Sequence, residues 1–436
     1  MDENQLDLKT KITAAIICSL VFMVVYNFSA WYASNLSYVP SFVFSFDKYL
    51  PFISLSILPY LTSGLFFCTI FFFCKTKDEL NTLKKRLLFA ILIAGIIFLL
   101  FPLKHSYTRP EVANPILKFL FHFLKTVDSP YNQSPSLHVA FAFIFWTIFR
   151  NFKSTWRSFI ALWLILLGLA TLTTFQHHVI DLFAGSILAH LSFIIFPIQR
   201  NNFQFRNFHV ANFYFLAGWI FALLALLLNE FYNPTWLLLL WISLVFFLVG
   251  YHYQKDDVHF LKDKKGTIPF YKKIIYLPYL ILYWSFWKFL RKNKMPIAVL
   301  PKLYISSLLD EKAIQDFEIN AHTYIYDFSA ELEESRSIKE NSKYFCVPLL
   351  DISSFDVEQI KKIVLEITKN YKELTPDGKI LIHCTMGFTR SSIIAILVVK
   401  KILSLPLHEA IKTIKNSNKN AVIHTYLQDF LTTIDI

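Results

Sequence analysis

The chain has 436 residues, of which 43 are Lys or Arg and 31 are Asp or Glu, giving a net charge of +12. At 55% hydrophobic residues and a mean hydropathy of +0.45 it is too apolar for a soluble protein and has the composition of an integral membrane protein. Its basic residues sit mainly beside apolar segments, as topology signals and anionic-lipid contacts do, which argues against nucleic acid as a partner.

Apolar runs long enough to span a bilayer lie at about 12–33, 51–74, 87–103, 136–152, 156–175, 178–197, 212–230 and 235–251, eight in all. Asp2, Glu3 and Asp7 crowd the region that a cleaved signal would make basic, so the first run reads as a retained span. If the spans alternate, four basic groups fall on one side: Lys75 to Arg86, Arg150 to Arg157, Arg200 with Arg206, and Lys255 to Lys265. The positive-inside rule makes that side cytoplasmic, with both chain ends. The 104–135 and 175–178 connections then face outward together.

A further stretch, Ile274–Leu290, is bracketed by Lys272, Lys273, Arg291, Lys292 and Lys294, and contains Pro278 and several Tyr and Trp. Cations at both ends and aromatics between them suit the headgroup layer. From Pro296 the pattern becomes strand–helix alternation. Short β-type runs lie at 298–305, 322–326, 344–349 and 379–383, with helical periods at 311–318, 356–370, 391–403, 407–415 and 423–433. The expected fold class is a polytopic α-helical membrane domain (1–251), a basic aromatic interfacial linker (252–295) and a soluble α/β domain (296–436).

Five cysteines show no zinc or disulfide spacing, and no metal or other cofactor is called for. One cysteine stands apart. A β-type run ending in His383 delivers Cys384, five residues pass, then Arg390-Ser391 open a helix. Sulfur attacks phosphorus only as thiolate, and a loop of inward amides at a helix N-terminus both acidifies a thiol and binds phosphate. Arg390 offers a bidentate fork, and Gly387 permits the turn. Thr389 belongs to the same loop, and Ser391 is placed to bond Cys384. A carboxylic acid must protonate the leaving oxygen from another loop. Asp351, directly after the 344–350 run, is the first choice. Asp356 is second, and it better suits a helix cap.

Residues 297–436 resemble the cysteine-dependent dual-specificity phosphatases. The resemblance implies a phosphocysteine intermediate, an acid Asp on a separate loop and no metal. Relatives acting on phosphoinositides often carry basic residues inside the loop, whereas Thr385, Met386, Phe388 and Thr389 are neutral.

A second constellation lies in the membrane half. Ser136-Leu137-His138 opens the fourth span and His177-His178-Val179-Ile180-Asp181 opens the sixth. His177 and Asp181 are four apart, so the carboxylate can fix the imidazole's tautomer. One histidine can attack phosphorus while the other protonates the leaving group. Lys104 and Arg109 place cations on the same outer face. Residues 86–197 resemble the type-2 phosphatidic acid phosphatase superfamily and its inositol-phosphoryl transferase-like branch. That resemblance implies His177 as nucleophile, Asp181 as its partner, His138 as acid, and Lys104, Arg109 and Ser136 as phosphate ligands. The usual Gly of the second motif is Leu137, and Ala170-Thr171 stand where the third motif has Arg.

Together these readings lead to the expectation of a bifunctional phosphatase of a bacterial inner membrane. A cytoplasmic cysteine site would act on a phospholipid headgroup phosphomonoester, of the phosphatidylglycerol phosphate or phosphatidylinositol phosphate type. An outward histidine site would act on a lipid phosphate or diphosphate. A membrane-anchored protein tyrosine phosphatase and a phosphoryl-headgroup transferase stay open as alternatives, as do the lipid itself and the oligomeric state.

Overall fold

The computed structural model describes residues 6–198, 203–292 and 294–435. The chain divides into two compact units, Met1–Ile198 with Phe215–Ser243, and Gln199–Tyr214 with Leu244–Ile436.

The first unit is helical: α1 (Leu8–Ser34), α2 (Ile57–Thr69), α3 (Lys77–Leu100), α4 (Pro115–Val127), α5 (Leu137–Phe149), α6 (Ser154–Thr173) and α7 (Val179–Ile195), joined by parts of α8 (Arg206–Phe231) and α9 (Leu239–Lys255). Among the described residues five stretches are long and apolar enough to cross a membrane: Leu8–Ser34, Ser54–Phe73, Ser154–Thr173, Arg206–Phe231 and Pro234–Lys255. α5 and α7 are shorter apolar helices. Long Leu/Ile/Phe runs fold this way in lipid because a helix satisfies its own backbone groups. α1 keeps Ile16, Leu20, Met23 and Val24 outward, a surface water would not tolerate.

The 104–135 connection holds a helix that the span pattern did not resolve. Asn114 caps α4 and Pro115 occupies its first turn, while Phe121 and Leu124 are buried. α5 and α7 meet at their N-termini, where the Ser136 amide donates to the Asp181 carbonyl at 3.0 Å. Gly185 permits this approach, since a Cβ there would lie 2.4 Å from the Ser136 carbonyl oxygen.

The second unit is α/β. After α10 (Phe270–Ile275) and α11 (Leu277–Leu290) come five strands, β1 (Ile297–Leu300), β2 (Leu303–Ser307), β3 (Thr323–Ser329), β4 (Lys343–Leu349) and β5 (Lys379–Cys384). Their order is β1-β2-β5-β3-β4, with β1 antiparallel to β2 and the other pairs parallel. The remaining helices are α12 (Glu311–Asp316), α13 (Arg336–Asn341), α14 (Val357–Lys372), α15 (Arg390–Leu403), α16 (Leu407–Ser417) and α17 (Thr425–Thr433). β5 is central, with Ile380, Leu381 and Ile382 fully buried, and α15 is buried all along Arg390–Val399. A helix apolar on every side belongs in a core.

The 298–305 run is two strands rather than one. Pro301 supplies no ladder donor and Lys302 adopts φ +65°, which turns the chain into a hairpin. In Ile274–Leu290, Pro278 sits in the first turn of α11, where a missing amide costs nothing. Lys262 is no topology signal. It is fully buried, donating to Asp327 Oδ2 (2.8 Å), the Ser329 carbonyl (2.7 Å) and Ser329 Oγ (3.0 Å).

Candidate active sites

Cys384 ends the central strand of the second unit, at the edge where parallel sheets gather ligands. The chain then loops into α15, which begins at Arg390. Gly387 adopts φ +74°, and a Cβ there would sit 2.6 Å from the Ser307 amide nitrogen, so no other residue fits without displacement. Its amide donates to Cys384 Sγ at 3.3 Å, and Ser391 Oγ lies 3.5 Å from the same sulfur. Asn418 Nδ2 holds the Gly387 carbonyl at 3.3 Å and the Val422 amide holds that of Phe388 at 3.0 Å.

Arg390 is 1% exposed. Its Nη1 donates to Glu331 Oε1 (3.0 Å), Glu331 Oε2 (2.9 Å) and the Leu349 carbonyl (2.7 Å). Nε and Nη2 carry no hydrogen bond among the described residues, and Nη2 lies 3.4 Å from Asp351 Oδ1. Burial pulls the guanidinium's pKa down, but Glu331, Asp351 and Cys384 more than offset it and hold the value well above the usual one. Burial pushes the Glu331 carboxyl up despite Arg390. A pocket of about 230 Å³ is lined by Cys384, Arg390, Asp351, Met386, Thr389 and His424, among others. Asp356 lies elsewhere, capping α14 through the Glu358 and Gln359 amides.

Behind the loop is a buried ionisable cluster. His383 Nε2 lies 3.1 Å from Glu334 Oε2 and 3.9 Å from Asp327 Oδ1, and Tyr344 donates to Asp327 at 2.7 Å. Burial raises Glu334 to about 8 and lowers His383 to about 4, so both are neutral at pH 7. Burial would raise Asp327 as well, but Lys262, His383 and the Tyr344 hydrogen bond together outweigh it and hold the carboxyl below its usual range.

In the first unit His177 Nδ1 lies 3.3 Å from Asp181 Oδ2, which also accepts the His178 amide at 2.9 Å. The His138 and His177 rings are 5.7 Å apart, and Tyr60 stacks on His138 at 4.3 Å. Both histidines line a cavity of about 470 Å³ whose wall is otherwise largely apolar, with Phe22, Phe67, Leu124 and Phe141 among its residues. Ser136 is buried and caps α5. Lys104 is exposed, and the Arg109 guanidinium lies over Phe121 at 5.7 Å. Neither lines this cavity.

Two acidic residues escaped the sequence reading. Glu331 sits in the Glu331–Glu334 acidic run after β3, which looks like a solvated turn until the sheet brings it to Arg390. Asp128 lines the membrane cavity and accepts from both Tyr26 and Tyr60, the latter at 2.6 Å. Neither tyrosine has a motif signal.

Residues 56–195 match the PAP2 superfamily, overlapping the resemblance expected at 86–197. No curated protein matches the sequence. Solved structures similar to the chain include Tk-PTP in its active form, 20% identical, covering 32% of this chain and 95% of that one with a TM-score of 0.29. Human tyrosine phosphatase-like serine/threonine/tyrosine-interacting protein is 13% identical, with 32% and 95% covered and a TM-score of 0.28. Human DUSP28 is 12% identical, with 33% and 95% covered and a TM-score of 0.27. The chain thus pairs a region matching the PAP2 superfamily with structural neighbours that are dual-specificity and tyrosine phosphatases.

Proposed function

We propose that the chain is a membrane phosphatase with two phosphate-transfer sites, one built on Cys384 and one on His177. The observation that carries this reading is the Cys384 loop, where one sulfur faces the Gly387 amide and the Ser391 hydroxyl while Arg390, in the pocket wall, has no hydrogen bond on Nε and Nη2 among the described residues. The Cys384 thiolate attacks phosphorus, Arg390 grips two nonbridging oxygens, and Asp351 protonates the departing alkoxide. Water then displaces sulfur, with Asp351 taking its proton and Ser391 donating to the leaving thiolate. Thr389 and Gly387 contribute the loop backbone.

At the second site, a His177 Nδ1–H bonded to Asp181 leaves the Nε2 lone pair for phosphorus, and His138 protonates the leaving oxygen. The apolar wall of the 470 Å³ cavity suits a lipid chain. Arg109 and Lys104 serve the phosphate through movement of their long side chains. On this reading the chain crosses the membrane eight times with the Lys/Arg-rich loops inside, the cysteine site lies in the cytoplasm, where a thiolate survives, and the histidine site faces outward. The substrates are a phospholipid headgroup phosphomonoester for Cys384 and a lipid phosphate or diphosphate for His177. A second reading for the histidine site is transfer of a phosphoryl headgroup to a hydroxyl acceptor. For that reading Asp128, in the cavity wall, offers an acceptor for the incoming hydroxyl.

The test is phosphate release from a lipid panel by wild type, Cys384→Ser and His177→Ala. Each variant should lose a different set of substrates. If one substitution abolishes all release and the other none, the two-site reading fails.

A further inference from the structure

The loop that carries Asp351 is tied down by side chains from outside the α/β sheet. Tyr253, on α9 and fully buried, accepts from the Asp351 amide at 3.1 Å and donates to the Asp351 carbonyl at 3.1 Å. Arg206 Nε, at the start of α8, donates to the Ile352 carbonyl at 3.0 Å. Its neighbour Asn207 accepts from the Ser354 amide at 2.8 Å and donates to Asp256 at 2.7 Å. Three of the four residues 351–354 are therefore held at the backbone by α8 or α9, and Ser353 Oγ bonds the Leu350 carbonyl at 2.7 Å within the loop. Ile352 adopts φ +52°, a conformation a β-branched residue keeps only where its surroundings impose it.

These contacts do something specific to Asp351. Its backbone is anchored at both polar atoms while its carboxylate lines the Cys384 pocket, 3.4 Å from Arg390 Nη2. A proton donor must lie within hydrogen-bond reach of the leaving oxygen, so freezing the backbone sets that reach before substrate arrives. We infer that Tyr253, Arg206 and Asn207 are positioning residues that hold the Asp351 loop closed over Cys384. The inference rests on Asp351 being the proton donor. It makes the ends of two long apolar helices part of the phosphatase machinery, a dependence that a freestanding domain of this kind would not have.

Leaving-group dependence separates positioning from general damage, because proton donation matters most for a basic leaving group. The full chain, carrying His177→Ala to silence the other site, is assayed for kcat/KM on phosphate monoesters from nitrophenyl to alkyl. The parent should change little along the series, and Asp351→Asn should fall steeply. Tyr253→Phe should fall in the same sense, losing about tenfold or more on alkyl phosphate and no more than about threefold on the most acidic nitrophenol. Asn207→Ala should follow it, and decides alone if Tyr253→Phe does not fold. A flat profile for these variants, or an equal loss on every substrate, overturns the inference. Activity surviving in Cys384→Ser, or a flat profile for Asp351→Asn, overturns the underlying site reading instead.

Discussion

Arg390 Nη1 sits between both carboxylate oxygens of Glu331, 3.0 Å from one and 2.9 Å from the other, and Thr385 Oγ1 donates to the same carboxylate at 2.6 Å. Glu331 thereby occupies one end of the guanidinium, while Nε and Nη2 carry no hydrogen bond among the described residues. Removing one partner of a buried pair strands the other charge. Glu331→Ala should destabilise the α/β unit by about 3–5 kcal/mol in denaturant unfolding and weaken phosphate inhibition. A loss below about 1 kcal/mol with unchanged inhibition would contradict this role.

Asp351 and Asp356 are five residues apart and do different things. Asp351→Asn should lower the rate about 10²–10⁴-fold on poor leaving groups, because no acid remains to protonate the departing oxygen. Asp356→Ala should cost about 1 kcal/mol of stability through the lost α14 cap, with turnover unchanged. Swapped outcomes in rate and unfolding measurements would assign the acid to Asp356.

Glu334 introduces a pH dependence of stability. Its folded-state value of about 8 lies above the ordinary carboxyl value of 4.5, so the folded form retains a proton that the unfolded form releases between them. Stability from this group is present below about pH 4.5 and declines as pH rises toward 8. His383, lowered to about 4, acts oppositely, and its contribution is lost as pH falls from 6.5 to 4. Above pH 6.5 the Glu334 effect outweighs that of His383, which fades as the unfolded imidazole loses its proton. Glu334→Gln should therefore flatten the fall in Tm between pH 6.5 and 8, and an unaltered slope would rule out a neutral Glu334.

Asp181 both orients His177 and caps the start of α7 through the His178 amide. Asp181→Asn keeps the shape but loses the charge that favours the Nδ1–H tautomer. Turnover of a lipid phosphate by the Cys384→Ser chain should fall about 10²-fold or more, while Tm changes little. Retained lipid phosphate turnover would remove Asp181 from the site.

The motifs were legible because their chemistry demands short spacings. Cys384 to Arg390 is one loop, and His177 stands just before α7 with Asp181 in its first turn, so sequence distance stands in for space. Glu331 and Asp128 were not, because their partners lie 59 and 68 or more residues away and only the folded chain brings them together. Helices α12 and α14 to α17 fall on the expected helical periods, whereas the six-residue α13 was too short to show one and the 298–305 run hid the Pro301-Lys302 hairpin. Lys262 was the least legible. In a run with Lys264 and Lys265 it looks like another headgroup cation, and nothing local marks it as the one that enters the core beside Asp327.

The most direct test of the cysteine chemistry is rapid quenching of the wild-type chain during turnover of a phosphate monoester, followed by mass spectrometry of the Cys384 peptide. A phosphate adduct on Cys384 is expected, persisting in His177→Ala, accumulating in Ser391→Ala and absent from Cys384→Ser. Sustained turnover with no adduct on Cys384, in both wild type and Ser391→Ala, would contradict the thiolate mechanism.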